Sequence, residues 1–177
     1  LQIKNRHLKH CLIQKCKLLE QLQVQCPHLS LLDLNQCVLI NDANLALAIE
    51  PDHVPSLKHL RLNGCRSLIK PTFYNFSLER VEFDFCTRLT SPRFIHCFML
   101  QEISVSYSKI SDDQLEMLLR NDRGNTPKLR KVTANKCAAL RQPRITKVSE
   151  TLEELDFRGC HNIEQPLFES ASPVKKL

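Results

Sequence analysis

Several features typical of enzymes and membrane proteins are missing from this sequence. The chain of 177 residues has no tryptophan and only three glycines, which excludes a site built on tryptophan stacking and a glycine-rich phosphate cradle. No apolar run approaches the roughly 20 residues that a membrane-spanning helix needs. The polar opening LQIKNRHLKH is not typical of a secretory signal peptide. The composition therefore indicates no catalyst and no membrane anchor.

Cysteine is abundant, but its spacing lacks the usual signatures of bridges and metal sites. The nine cysteines are an odd number, and no CxxC pair occurs. We therefore expect free thiols in a reducing compartment such as the cytoplasm, with no metal and no cofactor. The closest pair, Cys11 and Cys16, is spaced too widely for a common zinc knuckle. Cysteine is also a small residue that is readily buried, and this interpretation fits its context.

The cysteines end a phrase, L-x-x-L-x-L-x-x-C, that recurs along the chain. Its seven copies start at residues 8, 29, 57, 78, 100, 129 and 152. The terminal residues are Cys16, Cys37, Cys65, Cys86, Ser108, Cys137 and Cys160. An aliphatic residue stands three positions after each terminal cysteine and two positions after Ser108. Four copies then carry a proline two residues before a large apolar residue (Pro71, Pro92, Pro143 and Pro166). The two nested patterns predict one repeat domain over residues 1–177.

A short apolar segment repeated every 21 to 29 residues is typical of a solenoid. Stacked copies bury a continuous core that no single copy could bury alone. In each L-x-L the alternating aliphatic residues would point inward and their neighbours toward solvent. The terminal cysteines would bond backbone carbonyls at a sharp bend, in a ladder. The sequence thus predicts an α/β fold with a parallel β-sheet on one face and short helices or irregular turns on the other.

The phrase resembles the leucine-rich repeat of the cysteine-containing subfamily, best known from the substrate-binding halves of F-box proteins. The resemblance covers the chain from Leu8 onward and implies a curved horseshoe with a concave sheet. It also implies substrate recognition for a ubiquitin ligase, although a bacterial effector or an organelle assembly factor could use the same repeats. Most copies are shorter than the family's, so the convex side should be irregular where proline limits helix formation.

Helices are expected on the convex side of the two longest copies. Asp42 would cap the run 43–49, and Ser111 with Gln114 reads as a capping box before a second helix. A weaker candidate helix covers Leu18–Val24.

Both ends look cut. Leu1 is not a start methionine, and 172–177 matches the lead-in to an eighth strand. Polar terminal caps, which a repeat array needs, are not evident. We therefore expect a piece of a longer array, and an F-box or another domain before residue 1 stays open.

The predicted sheet presents three rows of outward side chains. The first is His10, Leu31, His59, Arg80, Glu102, Lys131 and Glu154; the second is Leu12, Asp33, Arg61, Glu82, Ser104, Thr133 and Asp156; the third is Gln14, Asn35, Asn63, Asp84, Ser106, Asn135 and Arg158. This face is close to neutral, whereas the whole chain carries a formal charge of +6. The surplus lies in the basic stretches 1–19 and 120–147.

The basic stretches allow an alternative function, binding to nucleic acid or another acidic surface by a structural or assembly subunit. Arg141, Arg144 and Lys147 would then matter most, and binding would weaken with salt. The simpler interpretation of the basic stretches is that they lie on a convex face in contact with solvent. Aromatic residues between the basic ones, which single-stranded nucleic acid binding would need, are missing from both stretches.

The centre of the concave face is the candidate partner-binding site. Its residues are Arg61, Arg80, Glu82, Asp84, Glu102 and Ser104, with Phe85 and Tyr107 as an aromatic lip. Charged groups beside an aromatic anchor suit protein recognition, although opposite charges on neighbouring strands could simply pair with one another. Glu82 and Asp84 stand on an open sheet, which does not favour acid–base catalysis.

Two cysteines adjoin histidines, in His96–Cys97 and Cys160–His161, but adjacent residues rarely face each other productively. No catalytic residue is therefore expected. The sequence predicts a non-catalytic protein–protein interaction module, which could act within a larger complex.

Overall fold

The chain folds as a solenoid in which one short parallel strand recurs seven times. The computed structural model describes residues 1–75, 77–120, 126–145 and 150–168. Its main sheet orders the strands as they occur along the chain: β2 (His10–Leu12), β4 (Leu31–Asp33), β5 (His59–Arg61), β7 (Arg80–Glu82), β9 (Glu102–Ser104), β10 (Lys131–Thr133) and β12 (Glu154–Asp156). The predicted α/β solenoid with a parallel sheet is confirmed.

Every strand of the main sheet buries its middle residue. These residues, which oppose one another across the sheet, are Cys11, Leu32, Leu60, Val81, Ile103, Val132 and Leu155. Because side chains alternate along a strand, the flanking residues lie on the other face. The pairing confirms the predicted register of the first two outward rows.

Within the described residues, the opposite side of the solenoid carries two helices and three pairs of short parallel strands. The pairs are β1 (Gln2–Lys4) with β3 (Gln23–Gln25), β6 (Thr72–Tyr74) with β8 (Arg93–Ile95), and β11 (Arg144–Ile145) with β13 (Leu167–Phe168). Helices α1 (Asp42–Ala48) and α2 (Asp112–Leu119) occupy the two longest copies, as predicted. The helices separate the strand pairs from one another. Neither of these helices, within the described ranges, has the length and apolar character needed to cross a bilayer.

Two expectations for this side of the molecule are wrong. The candidate helix at Leu18–Val24 does not form, because the backbone of β3 pairs instead with β1, which precedes the first copy of the phrase. The proline-containing copies are not irregular, since Phe73 and Phe94 lie in paired strands and stack with ring centroids 5.0 Å apart. The carbonyl of Pro71 accepts a hydrogen bond from the N–H of Arg93, so proline begins a strand there without breaking the pair.

The bend after each main strand contains a residue with a left-handed backbone. These residues immediately precede the terminal cysteine or serine, and we call them the left-handed row: Lys15, Gln36, Gly64, Phe85, Tyr107, Lys136 and Gly159. Their φ angles lie between 54° and 74°. Six of them donate their N–H to a backbone carbonyl of the next turn; Phe85, for example, donates to Ser106 at 2.9 Å. The row therefore fixes each bend to its neighbour.

The terminal cysteines form the predicted ladder, with one exception. Five thiols donate to a carbonyl of the preceding turn: Cys37 to Ile13 (2.9 Å), Cys65 to Leu34 (3.1 Å), Cys86 to Leu62 (3.1 Å), Cys137 to Val105 (3.3 Å) and Cys160 to Ala134 (3.0 Å). Cys16 is exposed, and its thiol donates to a carbonyl of its own turn, that of Gln14, at 3.6 Å. All nine cysteines, each within the described residues, are free thiols.

The helix starts differ in one detail from the prediction. Asn41, not Asp42, caps α1, because the Asn41 side chain accepts the N–H of Asn44 at 2.9 Å. The predicted capping box of Ser111 and Gln114 is present at α2.

The first residue of each helix ties it to the next turn. The Asp42 carboxylate accepts the backbone N–H groups of Ile69 and Lys70 at 3.0 and 2.9 Å. Asp112 does the same for Arg141 and Gln142 at 3.0 and 2.9 Å. The two carboxylates therefore hold turns together as well as carrying charge at a helix N-terminus.

The proposed lead-in to an eighth strand, 172–177, lies outside the described residues, as do 121–125 and Lys147 within the basic stretch 120–147.

We predict that Asp112→Ala lowers the free energy of unfolding by about 1–3 kcal/mol, because two backbone N–H groups lose a charged acceptor. Asp113→Ala is the matched control, since it removes the same charge from the exposed side of the same first turn. The measurement is chemical denaturation followed by circular dichroism. Equal losses in the two variants would show that the bond between turns contributes nothing.

We predict that one thiol per chain reacts rapidly with dithionitrobenzoate in the folded protein. Cys16 is exposed, whereas the other eight cysteines are buried. Burial raises the pKa of the Cys65 thiol and raises that of Cys86 to about 12, so these two form little reactive thiolate at neutral pH. Hydrogen bonding with Cys160 lowers the pKa of the Cys137 thiol to about 7, so burial alone shields Cys137 from the reagent. Cys16→Ser should abolish the fast phase, and guanidinium should release the remaining eight thiols. Several thiols reacting at one rate would contradict the buried ladder.

Candidate functional site

Opposite charges at the centre of the main sheet pair with one another. We call Asp33, Arg61, Arg80, Glu82 and Glu102 the central ion-pair network. Arg80 Nε lies 3.0 Å from Glu82 Oε1, and Arg80 Nη1 lies 3.2 Å from Glu102 Oε2. Arg61 approaches Glu82 at 3.7 Å and Asp33 at 3.6 Å. The predicted site residues on β5, β7 and β9 are therefore brought together, and they neutralise each other's charge.

The network has an inner and an outer layer. The side chain of Glu82 is only 15% exposed, and its Oε2 accepts a hydrogen bond from Asn63 Nδ2 at 3.0 Å. The side chain of Arg80 is 50% exposed. Glu82 thus orients the arginines from below, while the guanidinium of Arg80 lies within reach of a partner.

Three of the outward residues are in fact buried. Asp33, Ser106 and Asp156 are nearly inaccessible, which corrects the expectation that all three rows face solvent. Asp33 accepts hydrogen bonds from Gln14 Nε2 at 2.7 Å and from the N–H of Asn35 at 3.0 Å. These contacts cover the carboxylate and satisfy it.

The third row holds the backbone of neighbouring turns together. Four of its side chains accept the N–H of the corresponding residue in the next turn: Asn35 from Asn63 (2.8 Å), Asn63 from Asp84 (2.7 Å), Asp84 from Ser106 (2.9 Å) and Ser106 from Asn135 (3.2 Å). The Asp84 oxygen that accepts from Ser106 also accepts the hydroxyl of Ser104. The predicted site residues Asp84 and Ser104 therefore have bonding partners within the fold, which the sequence did not reveal.

The ladder of the third row stops at Asn135. The N–H of Arg158, which would continue the series, instead donates to Asp156 Oδ1 in its own strand at 3.2 Å. Asn135 Nδ2 donates to Asp156 Oδ2 at 3.1 Å. As a result, Asn135 Oδ1 is buried without a hydrogen-bond partner among the described residues.

The two predicted aromatic residues stack on each other just beyond the carboxyl ends of β7 and β9, which are inner strands of the sheet. The ring centroids of Phe85 and Tyr107 are 4.3 Å apart, with 20° between the planes. Phe85 is 50% exposed and Tyr107 36% exposed. Lys136 Nζ lies 5.2 Å from the Tyr107 centroid, within the range of a cation–π contact. The sequence-predicted aromatic lip therefore exists as a geometric feature.

A pocket of about 390 Å³ opens beside this stack, and we call it the edge pocket. Residues that line it include Asp84, Phe85, Tyr107, Asn135, Lys136 and Arg158. Lys136 is not among the site residues that the sequence predicts. A signal was available, however, because Lys136 precedes its terminal cysteine at the position that Phe85 and Tyr107 occupy in their own copies.

Arg158 is anchored at the rim of the edge pocket by Asp156. Its Nε donates to the two carboxylate oxygens at 2.9 and 3.1 Å, and its Nη2 donates to Oδ2 at 2.7 Å. These bonds hold the pKa of Asp156 at about 2, below its ordinary value of 3.8. Although anchored, the Arg158 side chain is 85% exposed.

The histidine–cysteine neighbours are engaged elsewhere. Cys97 Sγ lies 3.7 Å from the carbonyl of Phe73, and burial raises the pKa of its thiol. The ring of His96 packs against Phe98, with the centroids 5.6 Å apart. The Cys160 thiol donates to the carbonyl of Ala134. Among the described residues, no group of three histidine, cysteine, aspartate or glutamate side chains is placed to hold a metal ion.

The basic stretches differ in how far their charges are paired. The five basic residues of 1–19, which are Lys4, Arg6, Lys9, Lys15 and Lys17, are all exposed. In 120–147, Arg130 pairs with Glu153 at 2.9 Å and Lys131 pairs with Glu154 at 3.1 Å. Part of the second stretch is thus neutralised by the following turn.

We predict that acid destabilises the protein between about pH 4 and pH 2 through Asp156. Its pKa is lower in the folded chain than in the unfolded one, so its stabilising contribution is present above pH 4 and is lost as the pH falls through 2. Arg158→Gln should therefore lose less stability than the parent over this range. Denaturation midpoints at pH 7, 4 and 2.5 test this. Arg141→Gln, which removes an exposed arginine, is the control, and identical pH profiles for all three proteins would contradict it.

Comparison with known proteins assigns no role to these residues, since no protein-family model matches the chain and no curated protein matches its sequence.

Proposed function

We propose that this chain is a non-catalytic protein–protein interaction module built from leucine-rich repeats. The observation that carries the proposal is the exposed Phe85–Tyr107 stack beside the central ion-pair network. Aromatic and arginine side chains are the residues that most often dominate the binding energy of protein interfaces. Here the arginines lie on strands and the aromatic residues lie in the bends that follow those strands, and a continuous core supports both.

The repeat phrase suggests the setting. Because L-x-x-L-x-L-x-x-C resembles the cysteine-containing repeats of F-box proteins, we propose substrate recognition for a ubiquitin ligase as the role of the module. Nine free thiols, eight of them buried, support a reducing compartment such as the cytoplasm. The family assignment and the pathway both rest on this resemblance.

The predicted partner-binding residues divide between contact and support. Arg61, Arg80 and Glu102 have exposed ends and would touch the partner together with Phe85 and Tyr107. Glu82, Asp84 and Ser104 would hold these side chains and the backbone in place. This division supports a binding role over catalysis, because the carboxylates of Glu82 and Asp84 already accept hydrogen bonds within the fold.

Nucleic acid binding through 1–19 and 120–147 is the competing function. The five exposed cations of the first stretch favour it, whereas the pairing of Arg130 and Lys131 in the second does not. The main sheet adds no basic surplus for a polyanion, because its accessible charges are close to balanced. We therefore treat nucleic acid as an outcome of the following test.

We predict that a photoreactive benzophenone side chain at His59, on the main sheet, captures a discrete protein in a cell extract. The same side chain at Met117, on the exposed side of α2, is the matched control and should capture none. Arg80→Gln should weaken capture at His59 at least fivefold. It should shift the melting temperature by no more than about 4 °C, because an exposed ion pair contributes roughly 1 kcal/mol or less.

Capture at Met117 but not at His59 would contradict binding at the sheet. Adducts that disappear on nuclease treatment and weaken steeply with salt would favour the nucleic acid alternative.

A further inference from the structure

The aromatic residues of the left-handed row occupy positions where the backbone favours glycine. Phe85 and Tyr107 have φ angles of 62° and 60°, and Gly64 and Gly159 hold the equivalent positions in other turns. Side chains with a Cβ are disfavoured in this conformation by roughly 1 kcal/mol or more. Since both rings remain substantially exposed, core packing does not account for aromatic residues at these positions. A role in binding would account for them.

The edge pocket beside these rings is small. Its volume of about 390 Å³ lies near the lower end of the roughly 300–1,000 Å³ typical of ligand sites. A pocket of this size suits one or two side chains of a peptide better than a large cofactor. Phe85 and Tyr107 provide an apolar wall for such a side chain.

Two cations at the pocket retain hydrogen-bond donors. No carboxylate of the described residues lies within 4.0 Å of Lys136 Nζ, whose recorded contact is with the Tyr107 ring. Arg158 bonds Asp156 through Nε and Nη2, and Nη1 takes no part in those bonds. The carboxylate that lines the pocket, Asp84, has one oxygen occupied by Ser104 and Ser106. The pocket therefore offers donors for one carboxylate beside an apolar wall.

We propose that the edge pocket binds a short peptide segment of the partner in which an apolar ring is followed by an acidic residue. The ring would pack against Phe85 and Tyr107, and the carboxylate would bind Lys136 and Arg158. This rests on the proposed function as a protein-binding module. A single carboxylate fits better than a phosphate backbone, because the lining of the pocket has two cations, Lys136 and Arg158, and one carboxylate, Asp84.

The test uses Tyr107 as its own reporter. The chain has two tyrosines and no tryptophan, so Tyr74→Phe leaves Tyr107 as the only strong emitter on excitation at about 280 nm. The probe is the capped peptide acetyl-Ala-Phe-Asp-Ala-amide. We expect a saturable change in emission with a dissociation constant on the order of 1 mM, as suits a small ligand. Peptides with Asn in place of Asp, or Ala in place of Phe, should bind at least fivefold more weakly.

The variants are chosen to keep the fold intact. Phe85→Gly removes one ring at a position whose backbone glycine adopts readily, as Gly64 and Gly159 show. Lys136→Gln removes the charge but keeps the length of the side chain. Each should reduce affinity for the Phe-Asp peptide at least fivefold. Lys15→Gln, an exposed lysine in the same row but far from the pocket, is the matched control and should bind as the parent does.

Calorimetric titration of the parent chain accompanies the fluorescence, so that a silent fluorophore is not mistaken for lack of binding. No saturable binding by either method, or equal affinity for the Asp and Asn peptides, would overturn the proposal. Tighter, Lys136-dependent binding of a fluorescein-labelled oligothymidylate would overturn it in favour of nucleic acid. The photochemical capture at His59 reports on partner binding at the main sheet. Capture at His59 without peptide binding would therefore overturn the edge-pocket proposal and leave the proposed function standing.

Discussion

The backbone hydrogen bonds that leave the left-handed row are the interactions on which the rest of the structure depends. At each bend the chain must reverse sharply, and the residue with positive φ directs its N–H to the next turn; Gly64 reaches the carbonyl of Asp84 at 2.7 Å. The thiol of the following cysteine bonds the preceding turn, as Cys65 bonds Leu34. On the other side of the bend, third-row side chains such as Asn63 accept a backbone N–H. Three sets of bonds thus meet at one corner, and together they align the strands.

This arrangement explains why the sequence predicted the main sheet well. An aliphatic pair spaced by one residue and followed by a small thiol places two core residues and one bend, and stacking leaves little choice of register. The helices were also predictable, because the two longest copies are the ones with enough residues between successive strands to form a helix. The strand at Gln23–Gln25 was not, since its partner lies outside the repeat phrase. Asp42 was misassigned as a cap because its partners, Ile69 and Lys70, belong to the next turn.

The candidate site was predictable in position but not in its bonding. The period of two along a strand shows which side chains face outward, yet it does not show which of them pair. The sequence therefore left two readings of Arg80 and Glu82 open, and the structure places them 3.0 Å apart. The sequence also could not reveal that the Asp84 side chain accepts a backbone N–H of the next turn. Lys136 was missed because only the aromatic residues at this position of the repeat, Phe85 and Tyr107, indicated a binding site.

In the left-handed row, the backbone holds the turns together while the side chains are available for binding. The fold requires a positive φ at each position of the left-handed row, yet the side chain there ranges from glycine to tyrosine. Residues of the central ion-pair network have less of this freedom, because changing Arg80 removes the nearest cation from both Glu82 and Glu102. Side chains in the row can therefore change with little effect on the stacking of the turns. A repeat protein that must recognise one particular partner can place its specificity there, and the only two adjacent aromatic residues of the row lie beside the edge pocket.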